Sequence, residues 1–191
     1  DHFNALPPGS PRRALRFGGE EVPMDGGWRV GQPEGEELDI EPAERAWPDV
    51  YARRLAVLSL AARDRGAIAP SCANVLDRIL ERLPELAGPP ERPARVHGDL
   101  WSGNVLAGAD GRPWLIDPAA HGAHREMDLA MLDLFGSVSG RTLAAYEEVW
   151  PLAGGRADRV PLWQLQPLLV HAILFGGSYG AAVERAASRY A

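Results

Sequence analysis

"RVHGDLWSGNVL", residues 95–106, decides how the chain is read. Asp99 follows His97-Gly98, and Asn104 sits five residues after it. Apolar residues on both sides read as short strands. Taken singly, each polar residue fits an ordinary turn. Asp99 makes an Asx-turn, Asn104 enters a strand, and Asp117-Pro118 starts another turn. The joint pattern favours a different reading. "GADGR" (108–112) is a hairpin turn between "NVLAG" and "RPWLID". A hairpin over 105–116 returns Asp117 to Asn104, thirteen residues after it in the chain.

Those residue types at that spacing belong to phosphoryl transfer. In protein kinases a loop aspartate accepts the proton of the attacking hydroxyl, an asparagine five residues on binds magnesium, and a later aspartate at a strand end binds the metal that bridges the phosphates. The chemistry explains the choice. A carboxylate beside the nucleophile orients it, and Mg²⁺ prefers carboxylate, amide and phosphate oxygens. Asp99 is therefore the candidate base, with Asn104 and Asp117 as candidate magnesium and nucleotide ligands.

Composition narrows the classes. The chain has 191 residues, 46% hydrophobic, enough to bury a core in one domain with an irregular arm. No apolar run approaches the roughly 18 residues of a membrane helix. The first residues, "DHFNALPPGSPRR", lack the basic-then-apolar order of a signal peptide, and they begin without Met, so a fragment is expected. The single cysteine, Cys72, is expected as a reduced thiol in a helix, consistent with a cytoplasmic protein. A net charge of −6 spread along the chain disfavours nucleic-acid binding, which needs a basic face. All 20 basic residues are arginine, so no lysine of this chain takes part in any mechanism.

Residues 1–46 are rich in Gly and Pro and carry the acidic "EGEELDIEPAE", which reads as an extended arm with little secondary structure. Helical periodicity begins near Pro48, with Val50, Leu55, Leu58 and Ala62 on one face and a stop at Gly66. Ser71 is the expected cap of a second helix, which Pro84 kinks or shortens. Three short strands follow, then four helices: "HREMDLAMLDLFG", "GRTLAAYEEVW", "VPLWQLQPLLVHAILFG" and "GAAVERAASRY". The expected fold class is α+β and mostly helical, with small β-ribbons carrying the loop of Asp99.

Two further patterns fall away on their own chemistry. His121 and His124, near Asp117 and Glu126, match no standard zinc spacing. "GGSYG" (176–180) has the form of an esterase elbow, but it follows a helix rather than a strand, and no histidine comes after Ser178.

The strings "VHGDLWSGNVL", "LIDPAAHGAHREMDLAMLDLFG", "AYEEVWPL" and "PLWQLQPLLVHAILFGGSYG" resemble the fructosamine kinase family over about residues 45–190. That family is similar to the aminoglycoside phosphotransferases and shares the protein-kinase-like fold. The resemblance implies ATP- and Mg²⁺-dependent phosphorylation of the sugar hydroxyl of small-molecule or protein-bound ketosamines, a deglycation step. It implies that Asp99 is the base and that Asn104 and Asp117 hold magnesium. His97 supports the loop through hydrogen bonds, and Asp128 accepts hydrogen bonds from it. Gly98 stands where many protein kinases have arginine, so docking of a phosphorylated activation loop is not expected. Trp101 either lines the sugar pocket or packs. Arg125 and Glu126 either pair with each other or touch substrate.

Kinases of this type also have an N-terminal lobe with a phosphate loop and a lysine paired to a helix glutamate. The chain lacks that lysine, and residues 1–46 look like a segment that follows the inter-lobe hinge. The expected organisation is an arm over 1–46 and a helical C-terminal lobe over 47–191, without an N-terminal lobe and inactive unless a separate N-lobe or a dimer partner completes it. Two alternatives stay open: a sister phosphotransferase acting on an aminoglycoside or choline-like amine, and a non-catalytic kinase remnant that binds a partner.

Overall fold

The computed structural model describes residues 15–17, 20–22 and 47–191, apart from 110 and 137. The chain divides into two units, Asp1–Arg45 and Ala46–Ala191. In the first, β1 (Leu15–Phe17) pairs antiparallel with β2 (Glu20–Val22), Arg16 opposite Glu21. The rest of the expected arm lies outside the described residues.

The second unit is helical, with two small ribbons set into it. It starts with α1 (Trp47–Asp64) and α2 (Pro70–Leu86). The apolar positions of α1 recur at helical spacing, and Val50, Leu55, Leu58 and Ala62 are all buried. Gly66 ends the segment at φ 64°, a left-handed value that glycine adopts without a Cβ penalty. Ser71 does not cap α2. Pro70 takes the first position after the extended Ala69, where its fixed φ suits the helix and its missing N–H loses no bond. Pro84 falls in the last turn, and the helix stops at Leu86.

After the ribbons come α3 (Glu126–Leu134), α4 (Gly140–Val149), α5 (Arg156–Phe175) and α6 (Tyr179–Ala187). Ser139 caps α4 through its side chain, accepting from the Thr142 N–H at 3.0 Å. The core lies where α5 packs on α1, α3 and α6. Leu162, Leu165 and Leu169 of α5, with Tyr51, Leu55, Leu76 and Val183, are fully enclosed. Each such side chain contributes roughly 1.5–3 kcal/mol of transfer free energy. The Tyr51 hydroxyl donates to the Leu162 carbonyl at 2.5 Å, and its ring meets Trp163 edge-on at 5.1 Å. Gly180 lets α6 approach the α1–α2 turn, since a Cβ there would sit 2.3 Å from the Ala67 oxygen. Cys72 is buried in α2, and burial pushes its thiol up to about 11. Among the described residues no helix is long and apolar enough to cross a membrane.

The ribbons are nested. β3 (Ala94–Val96) pairs antiparallel with β6 (His121–Ala123), and inside them β4 (Val105–Ala107) pairs antiparallel with β5 (Pro113–Leu115). Three strands were expected here; the fourth, β6, closes the outer pair, with Val96 opposite His121. Two connecting loops, 97–104 and 116–120, therefore run between the same two ribbons. One carries Asp99 and Asn104, the other Asp117.

Candidate active site

The two loops are joined by specific bonds. The Ile116 N–H donates to the Asn104 carbonyl at 3.1 Å, extending the β4–β5 ladder by one step. Asp117 is thus the next residue after the backbone partner of Asn104. His97 Nε2 lies 2.9 Å from the Ile116 carbonyl, while Nδ1 is 3.3 Å from the Asp99 N–H. Since Nδ1 must accept, the proton sits on Nε2, which donates to Ile116. His97 is buried, and one neutral tautomer ties the backbone of Asp99 to the strand end before Asp117.

Gly98 completes the join by having no side chain. Its φ is 81°, and a Cβ would meet the Ala119 oxygen at 2.2 Å. The position is closed to arginine by backbone contact. Asp128, on α3, accepts the His97 N–H at 2.6 Å and the Gly98 N–H at 2.9 Å. Burial is the strongest influence on Asp128 and holds its carboxyl above the usual range, against the two N–H bonds that lower it.

Asn104 is buried at the end of a one-turn 3-10 segment, Ser102–Asn104. Its Nδ2 donates to the Asp99 carbonyl at 2.8 Å and to the Asp99 carboxylate at 3.2 Å. That assignment leaves Oδ1 as the amide atom for a cation. Asp117 is exposed and holds φ at 52°, the one non-glycine residue with positive φ among those described. A residue before proline normally stays extended, so this conformation costs on the order of 1–3 kcal/mol.

The amide oxygen of Asn104 and the carboxylate of Asp117 are donors of the type a hard cation such as Mg²⁺ takes, with phosphate and water in its remaining positions. No group of three or more His, Cys, Asp or Glu side chains clusters among the described residues, and the soft donors of a structural zinc site are not gathered here. His121 instead holds the Ala119 carbonyl through Nδ1 at 3.0 Å, and His124 stacks on Trp163 at 5.0 Å.

Trp101 is 40% exposed and lies over Gly103, where a Cβ would strike the indole at 2.2 Å. Gly103 was not singled out from the sequence, although a glycine between a large aromatic and the Asn104 amide is the signal that points to it. The indole meets Phe135 edge-on at 6.4 Å.

Arg125 and Glu126 do not pair with each other. Arg125 forms a fork with Glu91, both bonds 3.0 Å, donates to the carbonyls of Trp150 and Pro151, and packs on the Trp150 ring at 4.9 Å. Glu126 accepts from Arg159 at 2.9 and 2.5 Å and from Trp163 Nε1 at 3.0 Å. Burial would raise the Glu126 carboxyl, but the bonds from Arg159 and Trp163 outweigh it and hold it below the usual range. At 1% exposure Glu126 has no face open to a substrate. Both residues are held in tertiary contacts of the helical unit. Ser178, in the Gly-rich string, follows Gly176 and Gly177 at positive φ and leads into α6.

A model of the fructosamine kinase family matches residues 23–190. A "Probable ketoamine kinase" of Lactiplantibacillus plantarum is 48% identical over 99 residues, covering 52% of this chain and 35% of the relative. A "Probable ketoamine kinase" of Synechocystis sp. is 34% identical over 154 residues, covering 80% of this chain and 51% of the relative. A crystal structure from Thermobifida fusca YX-ER1, assigned as a fructosamine-3-kinase, superposes with a TM-score of 0.72 at 50% identity, covering 77% of this chain and 51% of that one. One from Haemophilus somnus 129PT, at 20% identity and a TM-score of 0.65, shares the fold and covers 95% of this chain and 57% of that one. The chain spans about half the length of the relatives it matches. With a match over nearly its whole length and a solved relative at half identity, the chain belongs to the fructosamine kinase family.

Proposed function

We propose that this chain carries the catalytic loop and metal-site residues for ATP-dependent phosphorylation of a sugar hydroxyl on a ketosamine. The observation that carries the reading is the join between Asp99 and Asn104, with Asp117 the next residue after Ile116, the backbone partner of Asn104. Family membership supports a ketoamine as the substrate.

In this reading Asp99 orients the attacking hydroxyl and accepts its proton late. Asn104 Oδ1 and the Asp117 carboxylate would hold Mg²⁺, which neutralises charge developing on the phosphate oxygens when it is bound. His97 and Asp128 are positioning residues. They hold the backbone of the loop through hydrogen bonds, and most of phosphoryl-transfer catalysis is positioning and electrostatics.

No lysine is present among the 191 residues to clamp the phosphates. Residues 1–191 on their own are therefore expected to release ADP far more slowly than a protein of full family length. The test is ADP release by such a protein carrying this sequence, offered a ketosamine, an aminoglycoside and a choline-like amine in turn. Turnover confined to the ketosamine supports the reading. Turnover on another hydroxyl reassigns the substrate. Magnesium-independent nucleotide binding without turnover on any of them marks a non-catalytic remnant.

A further inference from the structure

The loop that carries Asp99 and Asn104 is tied to α3 at two points. At its start Asp128 accepts the His97 and Gly98 N–H groups. Further along, the indole of Trp101 meets Phe135, the residue directly after α3, edge-on at 6.4 Å.

The second tie lies beside a weak element. Ser102–Asn104 is a single 3-10 turn with no side-chain cap. The Asn104 N–H donates to the Trp101 carbonyl at 2.9 Å, and the Val105 N–H donates to the Ser102 carbonyl. One such turn has poor hydrogen-bond geometry and little stability of its own. Ser102 and Gly103 are exposed, whereas Asn104 is buried. Yet the Asn104 amide holds one pose, in which its nitrogen reaches both the carbonyl and the carboxylate of Asp99.

The indole covers this turn. The outer edge of its six-membered ring lies against Gly103, where three ring carbons would stand 2.2, 2.4 and 2.6 Å from a Cβ. Gly103 is not among the glycines with positive φ, so its backbone does not require glycine; the ring does. At Gly98 a Cβ would strike backbone. At Gly103 it would strike the far end of a side chain, so an added methyl displaces the ring while the fold stands.

We propose that Trp101 is a positioning residue: its indole, seated on Gly103 and braced by Phe135, clamps the 3-10 turn and so fixes the Asn104 amide. The consequence for magnesium rests on the kinase reading of the loop, whereas the clamp itself does not.

Amide hydrogen exchange by NMR on the full chain reads the clamp without any activity. Trp101→Ala is expected to speed exchange of the Asn104 and Val105 N–H groups by about tenfold, while the His97 N–H, held by Asp128, changes less than about twofold. Gly103→Ala is expected to do the same, and Trp101→Phe to do so less. In the Trp101→Ala background Gly103→Ala is expected to add nothing. Unchanged exchange at Asn104 in Trp101→Ala overturns the clamp. Equal acceleration at His97 overturns it too, as does an effect of Gly103→Ala that persists without the indole. Kinetics of a protein of full family length carrying this sequence read the consequence. Gly103→Ala should raise the magnesium concentration for half-maximal rate at least about fivefold and leave KM for the ketosamine within about twofold. A rise in KM alone makes the ring a substrate contact and overturns the positioning role. Exchange that shifts as expected, in a parent that turns over no ketosamine, supports the clamp and overturns the kinase reading.

Discussion

The Asn104 amide nitrogen donates to both the backbone carbonyl and the carboxylate of Asp99, at 2.8 and 3.2 Å. One side chain thereby holds the candidate base, and in the proposed reading its own oxygen would meet a cation. Asn104→Ala removes both effects. In a protein of full family length carrying this sequence, kcat is expected to fall by at least about 100-fold. The magnesium concentration for half-maximal rate should rise as well. Steady-state kinetics across a magnesium titration checks this, and an unchanged magnesium requirement removes Asn104 from the metal site.

Gly98 should tolerate no side chain. A Cβ would collide with the Ala119 oxygen at 2.2 Å, and the φ of 81° disfavours any L-residue. Gly98→Ala is expected to cost on the order of 2 kcal/mol in urea unfolding and to abolish turnover by parting the two loops. A stable, active Gly98→Ala variant would show that the loops need not touch there.

Glu126 and Arg159 form a buried pair at 1% and 6% side-chain exposure. Glu126→Ala leaves a guanidinium buried without its carboxylate, and a loss of about 3–5 kcal/mol is expected. Replacing both partners by apolar residues should cost much less than the single change. Chemical denaturation of the single and double variants separates the two cases.

His121 gives the fold an acid sensitivity of known sign. Burial, reinforced by the Arg54 cation, pushes its pKa down from 6.5 to about 4. The unfolded chain therefore binds this proton more readily than the folded one. The corresponding stability is complete above pH 6.5 and is lost as pH falls toward 4, amounting to at most about 3 kcal/mol. His121→Gln should flatten stability across that window relative to the parent. The comparison cancels the opposing contribution of Asp128, which both proteins share.

The sequence pointed to a candidate loop more readily than to the frame around it. Asp99, Asn104 and Asp117 stood out as candidates because their residue types occur at a spacing used in phosphoryl transfer, and α1 was legible because Val50, Leu55, Leu58 and Ala62 repeat with the helix. β6 was not, since "HGA" has no alternation and its strand exists only by pairing with β3 across the site. Nor were the partners of Arg125 and Glu126, which lie 34 and 33 residues away. An ion pair made by tertiary folding leaves no local pattern. Ser71 misled because Pro70, one residue earlier, starts the helix without a cap.

The central claim is that Asp99 orients and deprotonates the hydroxyl while other residues hold the nucleotide. Its most direct test is Asp99→Asn in a protein of full family length carrying this sequence, with kcat and the Kd for Mg²⁺-ATP measured side by side. The account predicts a fall in kcat of at least about 1,000-fold, with Kd changed less than about threefold. Turnover within about tenfold of the parent would contradict it and take Asp99 out of the chemical step.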